Sequence, residues 1–180
     1  MKLNVAQLLK AAVGTTREYE LEESPSEIEG QRLTQPVRAR LHLTRLNDGL
    51  LARGDVSTAI ETVCSRCAES AEQRIAFHFE ERFCPTIDIL TGQPTRPEEA
   101  DENEPVFNID ANHLMDVDEV IRQGVVMEMP MHPLCQTNCQ GLCPRCGANL
   151  NLGACGCEPD TPSGPLAAML KDLVPLVKEK

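Results

Sequence analysis

Eight of the chain's nine cysteines fall into four close pairs, and no other feature restricts the fold as strongly. Cys64-Ser65-Arg66-Cys67 stands alone upstream. Cys135, Cys139, Cys143, Cys146, Cys155 and Cys157 follow with the spacing C-x3-C-x3-C-x2-C-x8-C-x-C. Zinc is the economical partner, because Zn²⁺ takes tetrahedral thiolate sets and a two-residue gap lets one tight turn aim both sulfurs at one ion. Eight thiolates fill two four-coordinate sites, which predicts about two zinc ions per chain.

Cys143-Pro144-Arg145-Cys146-Gly147 has the form of a zinc knuckle. Proline fixes one backbone angle there, and the glycine lets amide groups turn toward the thiolates. The loop to Cys155-Gly156-Cys157 is short and closes at little entropic cost. Cys143, Cys146, Cys155 and Cys157 are therefore assigned to one site, and Cys64, Cys67, Cys135 and Cys139 to the other. Spacing alone does not fix three-dimensional partners, so other pairings stay open at this point. Cys84 is left over as a small buried hydrophobe. His113 and His132 read as exposed or loop histidines by default, with replacement of one thiolate as the alternative.

A chain of 180 residues with four Phe, one Tyr and no Trp must build its core from Leu, Val, Ile and Ala. Such a core is thin, and metal-ligand bonds would supply cohesion that packing does not. No apolar run is long enough for a membrane helix, and the first thirty residues lack the pattern of a signal peptide. The expected location is cytoplasmic, where thiols stay reduced and disulfides are disfavoured.

The formal net charge is −11, a poor balance for gripping phosphates. Glu18, Glu20, Glu22, Glu23, Glu27 and Glu29 form one acidic block, and residues 98–104 form another. Between them lies a basic stretch with Arg32, Arg38, Arg40, Arg45 and Arg53. These are read either as solvated faces or as an RNA face bearing Arg38, Arg40 and Arg45 beside acidic surfaces for basic proteins.

Hydrophobic periodicity predicts an α+β fold: an antiparallel sheet, a packed central helix and a cysteine-rich zinc module. Residues 1–32 read as a short helix followed by an acidic linker. Residues 33–134 read as the α+β core. Within it, Val37, Ala39, Leu41 and Leu43 alternate along a strand, and Asn47-Asp48-Gly49 turns the chain into a second strand ending near Val63. Ile75, Phe77 and Phe79 mark a third, so the Cys64/Cys67 pair sits at a hairpin tip. Residues 85–105 read as an acidic, proline-rich loop. Val106 to Ile109 offers a return to the sheet. Leu114, Val117, Ile121 and Val125 then form one face of the central helix, capped by Asp110 or Asn112 and stopped by Pro130 and Pro133. Residues 135–160 form the zinc module, and 161–180 a C-terminal helix or tail.

No catalytic constellation emerges. Cys139-x3-Cys143-x2-Cys146 has the spacing of an iron–sulfur motif, but too few residues follow it for the barrel such chemistry uses. His78-Phe79-Glu80 has the H-x-E form of zinc deaminases, yet Leu142 stands where their proline would precede the knuckle. Four-thiolate sites are closed, whereas a catalytic zinc keeps an open position. No Gly-rich phosphate loop or serine nucleophile motif is present.

One series of residues carries a resemblance. Val63-Cys64-Ser65-Arg66-Cys67, the acidic helix ending in Met129-Pro130, Pro133-Leu134-Cys135, and Cys139-Gln140-Gly141-Leu142-Cys143-Pro144-Arg145-Cys146-Gly147-Ala148-Asn149-Leu150-Asn151 occur in that order. The chain thereby resembles the YceD family, associated with accumulation of large-subunit ribosomal RNA in bacteria and plastids, from about Leu33 to Cys157. The resemblance implies a non-catalytic factor in ribosomal RNA accumulation or processing and ribosome assembly. Its partner would be ribosomal RNA or a large-subunit precursor, with no membrane and no small-molecule substrate. The alternative is an acidic adaptor or chaperone for a basic ribosomal protein.

Overall fold

The alternation of Val37, Ala39, Leu41 and Leu43 becomes the buried face of a long strand, and most of the chain follows the same two-residue period. A computed structural model describes residues 1–24, 27–95 and 107–157. In chain order the elements are β1 (Lys2–Asn4), α1 (Ala6–Leu9), β2 (Thr16–Glu23), β3 (Glu27–Ile28), β4 (Gln31–Arg45), β5 (Leu50–Val63), β6 (Ser70–Pro85), β7 (Phe107–Ile109), β8 (Leu114–Asp116) and α2 (Asp118–Glu128). They form one curled, half-barrel sheet in the order β1-β8-β7-β6-β5-β4-β2, with β3 also on β4.

The expected α+β class is corrected by this architecture. The protein is mostly β, with 47% strand and 10% helix, and among the described residues two helices stand in place of a helical layer. Three local signals account for the error. The acidic residues 16–23, read as a linker, pair one-to-one with β4, because Tyr19 and Leu21 give the glutamate-rich stretch an apolar alternate face. Leu114, expected on the central helix, lies in β8 opposite Asn4. Asp110 caps no helix: its carboxylate accepts the Asn112 and Leu114 N–H groups and closes a turn. The sheet is also mixed, since β7 runs parallel to β6.

The long hairpins follow from sequence. Gly49 closes the β4–β5 turn, where a Cβ would stand 2.2 Å from the Phe83 carbonyl oxygen. Pro36 has no N–H to give the ladder, and the β4–β5 register shifts around it; Thr58, buried there, donates its hydroxyl to the Gln35 carbonyl at 3.0 Å. The concave face buries Leu41, Leu43, Leu50, Ile60, Ile75 and Phe83 with Leu8 and Leu9 of α1. Each contributes about 1.5–3 kcal/mol through removal from water. The eleven-residue α2 leans on β6 through Val120, Ile121 and Val125, and Gly124 leaves room for the Phe77 ring. It ends where Met129 turns extended ahead of Pro130.

The chain divides into two compact units, Met1–Cys139 and a second that begins at Gln140. The expected C-terminal helix, residues 96–105 of the acidic loop and Val106 of the expected return strand lie outside the described residues.

Candidate metal centres

Two groups of four sulfurs result. Cys64, Cys67, Cys135 and Cys139 form the first, and Cys143, Cys146, Cys155 and Cys157 the second; within each, all four Sγ atoms lie within 4.8 Å of one another. Both sets could hold a metal ion. Neither includes a histidine, and Cys84 is buried on β6, apart from both groups.

The first tetrad belongs to the sheet-bearing unit. Cys64 follows the last residue of β5 and Cys67 precedes β6, while Cys135 and Cys139 lie beyond the end of α2. Protein hydrogen bonds already draw the two segments together. The Ser65 N–H and hydroxyl both donate to the Pro133 carbonyl, at 2.8 and 3.1 Å, and the Arg66 guanidinium donates to the Cys139 carbonyl at 3.0 Å. Leu134 packs against Cys64, Cys67 and Cys139. The Cys64 and Cys139 sulfurs are 3.8 Å apart, and those of Cys67 and Cys135 3.6 Å. A tetrahedron with metal–sulfur bonds of about 2.3 Å has edges of about 3.8 Å, so the donor set fits a zinc-sized ion.

The two knuckles share one backbone. The Ala68 N–H donates to the Cys64 carbonyl and the Cys64 N–H to the Glu69 carbonyl; in the second unit the Gly147 N–H donates to the Cys143 carbonyl and the Cys143 N–H to the Ala148 carbonyl. The residue after each knuckle has positive φ, +59° at Ala68 and +72° at Gly147. Glycine adopts that conformation freely and alanine does not. In the second unit the Leu142–Asn149 bridge and a bond from the Gln140 N–H to the Asn151 side-chain oxygen, 2.8 Å, frame the knuckle.

The electrostatics divide the thiols. The Cys135 and Cys67 N–H groups pull the Cys64 thiol down to about 6. Withdrawal of the Cys135 sulfur from water, with the Cys67, Cys139 and Cys64 thiols beside it, pushes that group up to about 12. In the second tetrad the Cys146 and Arg145 N–H groups hold Cys143 down at about 6, while the Cys146 thiol and burial push Cys157 up to about 12. Each set can ionise one thiol readily, but four adjacent thiolates repel one another and call for a cation.

The arginines considered for RNA are differently placed. Arg38 and Arg40 emerge on the convex face, paired across the β2–β4 ladder with Glu22 at 3.3 Å and Glu20 at 3.2 Å. Arg45 is half-buried, donating to the carbonyls of Leu9 at 3.1 Å and Gly49 at 2.9 Å, and to that of Leu46. Its guanidinium ties α1 to the β4–β5 turn. Periodicity placed Arg45 on the same strand as the others but could not show that its end meets carbonyls. The structural roles of Ser65, Arg66 and Ala68 leave only a faint trace in sequence, a second C-x-x-C followed by a small residue. His78 and Glu80 share the convex face with Asp55 and Arg53, their partners at 3.2 and 2.6 Å.

The family model described as "Large ribosomal RNA subunit accumulation protein YceD" matches residues 52–174. A maize relative, "Large ribosomal RNA subunit accumulation protein YCED homolog 1, chloroplastic", is 31% identical over 164 residues, covering 79% of this chain and 56% of its own. Its Arabidopsis thaliana counterpart is 28% identical over 77% of this chain and 50% of its own. An uncharacterised Mycobacterium tuberculosis protein is 27% identical over 61% of this chain and 49% of its own. The chain thus spans about half the length of the curated relatives it matches. No solved structure matches it. Among the described residues no helix is long and apolar enough to cross a membrane.

Proposed function

The chain belongs to the YceD family of large ribosomal RNA subunit accumulation proteins, and on that premise we propose that it promotes accumulation of large-subunit ribosomal RNA without catalysis, as a zinc-braced β scaffold. The observation that carries this reading is the pair of sulfur tetrads, whose spacing in the first set, 3.8 and 3.6 Å, suits tetrahedral coordination. Zinc bound there would offset half the charge of the four thiolates and lock their geometry, offering no open position for substrate. Cys64 and Cys67 would hold the β5–β6 hairpin tip against Cys135 and Cys139 after α2. Cys143, Cys146, Cys155 and Cys157 would organise the second unit by themselves.

A protein partner is favoured over direct contact with RNA phosphates. Arg38 and Arg40 already face glutamates, Arg45 is spent on backbone carbonyls, and the chain carries a net charge of −11. A cleft of about 540 Å³ near Met1 is lined by Glu23, Glu27, Glu29, Asp116, Asp118 and Glu119, whose six carboxylates outnumber the Met1 ammonium and the Arg122 guanidinium paired with them. These features suit an adaptor that shields a basic ribosomal protein on its way to a large-subunit precursor.

The test is complementation of cells lacking the gene, read as the ratio of large- to small-subunit ribosomal RNA. Wild type and an Arg38→Gln/Arg40→Gln variant should restore the ratio, and Cys64→Ser should not. A folded, zinc-loaded double variant that fails to restore it would favour direct RNA contact through Arg38 and Arg40.

A further inference from the structure

On the convex face of the sheet each β2 glutamate stands opposite an arginine or histidine of β4, and no described strand lies on the other side of those glutamates. Reading across β2, β4, β5 and β6, one row is Glu20, Arg40, Asp55, His78 and the next is Glu18, His42, Arg53, Glu80; a third begins Glu22, Arg38, Ser57. Every row starts with a glutamate on β2. Among the described residues β2 pairs with β4 alone and forms the end of the strand order.

The backbone of that edge is open in a definite phase. The Arg45 N–H donates to the Thr15 carbonyl at 2.8 Å, toward β2, while the Leu46 N–H donates to the Gly49 carbonyl on the β5 side. The β2–β4 register is unbroken from Thr16–Thr44 to Glu23–Val37, so hydrogen-bonded pairs recur at Arg17, Tyr19, Leu21 and Glu23. The N–H and C=O groups of Thr16, Glu18, Glu20 and Glu22 therefore point away from β4. Natural edges are blunted by shortness, charge, proline or a bulge; β2 has eight residues, no proline and no register shift, and its guard is glutamate charge, which repels acidic strands but not a basic one. At its far end the Met1 ammonium lies 3.3 Å from Glu23, which leaves Thr16–Glu22 as the open stretch.

We propose that the β2 edge accepts an extended basic segment of a partner protein by strand addition, with Lys or Arg at alternate positions facing Glu18, Glu20 and Glu22. A second copy of β2 would set glutamate against glutamate, and RNA would set phosphate against them; a basic strand sets the opposite charge on both sides of the glutamate row. The proposal rests on the protein-partner reading above and names its binding mode.

The test is fluorescence anisotropy with the full chain and two labelled nine-residue peptides of equal charge, one alternating Lys and Val, the other of the same sequence with its backbone amides N-methylated. The unmethylated peptide should bind at least about tenfold tighter, because a methylated amide cannot donate to the edge. Replacing Glu18, Glu20 and Glu22 together by Gln should weaken it by roughly tenfold. Glu20→Pro, which removes one outward N–H where an edge tolerates proline, should weaken it similarly without altering the circular dichroism spectrum. If Glu20→Pro unfolds, the Gln variant and the two peptides decide. Equal affinity for both peptides, or full affinity in the Gln variant, overturns strand addition. Loss of strand addition with the ribosomal RNA ratio still dependent on Cys64 leaves the broader reading intact; a ratio indifferent to the chain overturns that reading alone.

Discussion

Cys64 and Cys139, 75 positions apart, bring their sulfurs to 3.8 Å, joining the tip of the longest hairpin to the segment beyond α2. The other tetrad closes within the second unit. The two sites therefore carry unequal structural duties. Cys64→Ser should cost on the order of 4 kcal/mol or more and lower hydrogen-exchange protection along β5, β6 and α2, because losing a structural ligand across a long loop releases much chain entropy. Cys155→Ser should lower protection from Gln140 onward only. Identical protection losses in both variants would contradict this division.

Ala68 occupies at the first knuckle the left-handed position that Gly147 occupies at the second. Ala68→Gly should raise the stability of the first unit by about 0.5–1 kcal/mol, the relief of steric strain exceeding the added entropy of the unfolded chain. Gly147→Ala should destabilise the second unit by a similar amount. Denaturant midpoints moving in the opposite directions would show that the knuckles differ.

Arg45 and Arg40 share a strand but not a role. Arg45→Ala orphans carbonyls near α1 and the β4–β5 turn and should cost about 1–3 kcal/mol. Arg40→Ala removes an exposed ion pair and should change stability by less than about 1 kcal/mol. Thermal melts of the two variants check the contrast.

The contrast also marks what the sequence made legible. Two-residue alternation located β4, β5 and β6, and cysteine spacing grouped the residues that form both tetrads. It failed where local and tertiary signals compete. The helical spacing of Leu114, Val117 and Ile121 was read as one helix, but Asp110 turns the chain early and β1 recruits Leu114–Asp116 into the sheet. The glutamates of β2 read as a linker because a strand's solvent face and a disordered acidic run share a composition. Arg45's backbone partners depend on α1 returning beneath the sheet, which no short window of sequence encodes.

Glu119 titrates unusually low. The Arg122 guanidinium and then the Gln123 amide hold its carboxyl at about 2, below the ordinary 4.5, and Arg122 also reaches Glu29. A depressed carboxylate stabilises the folded state above its unfolded pKa and loses that contribution as pH falls through the folded one. The Glu119 contribution should therefore be complete above about pH 4.5 and fade toward pH 2. Carboxyl NMR should show Glu119 still ionised at about pH 3.5, and a midpoint near 4.5 would refute the pairing.

Metal stoichiometry tests the central claim most directly. The full chain, purified without chelator and quantified by elemental analysis alongside amino-acid analysis, should carry about two zinc ions, as eight thiolates in two closed tetrahedral sites require. One zinc ion per chain, iron with visible absorbance, or metal-free protein with an unchanged melting temperature would contradict the account.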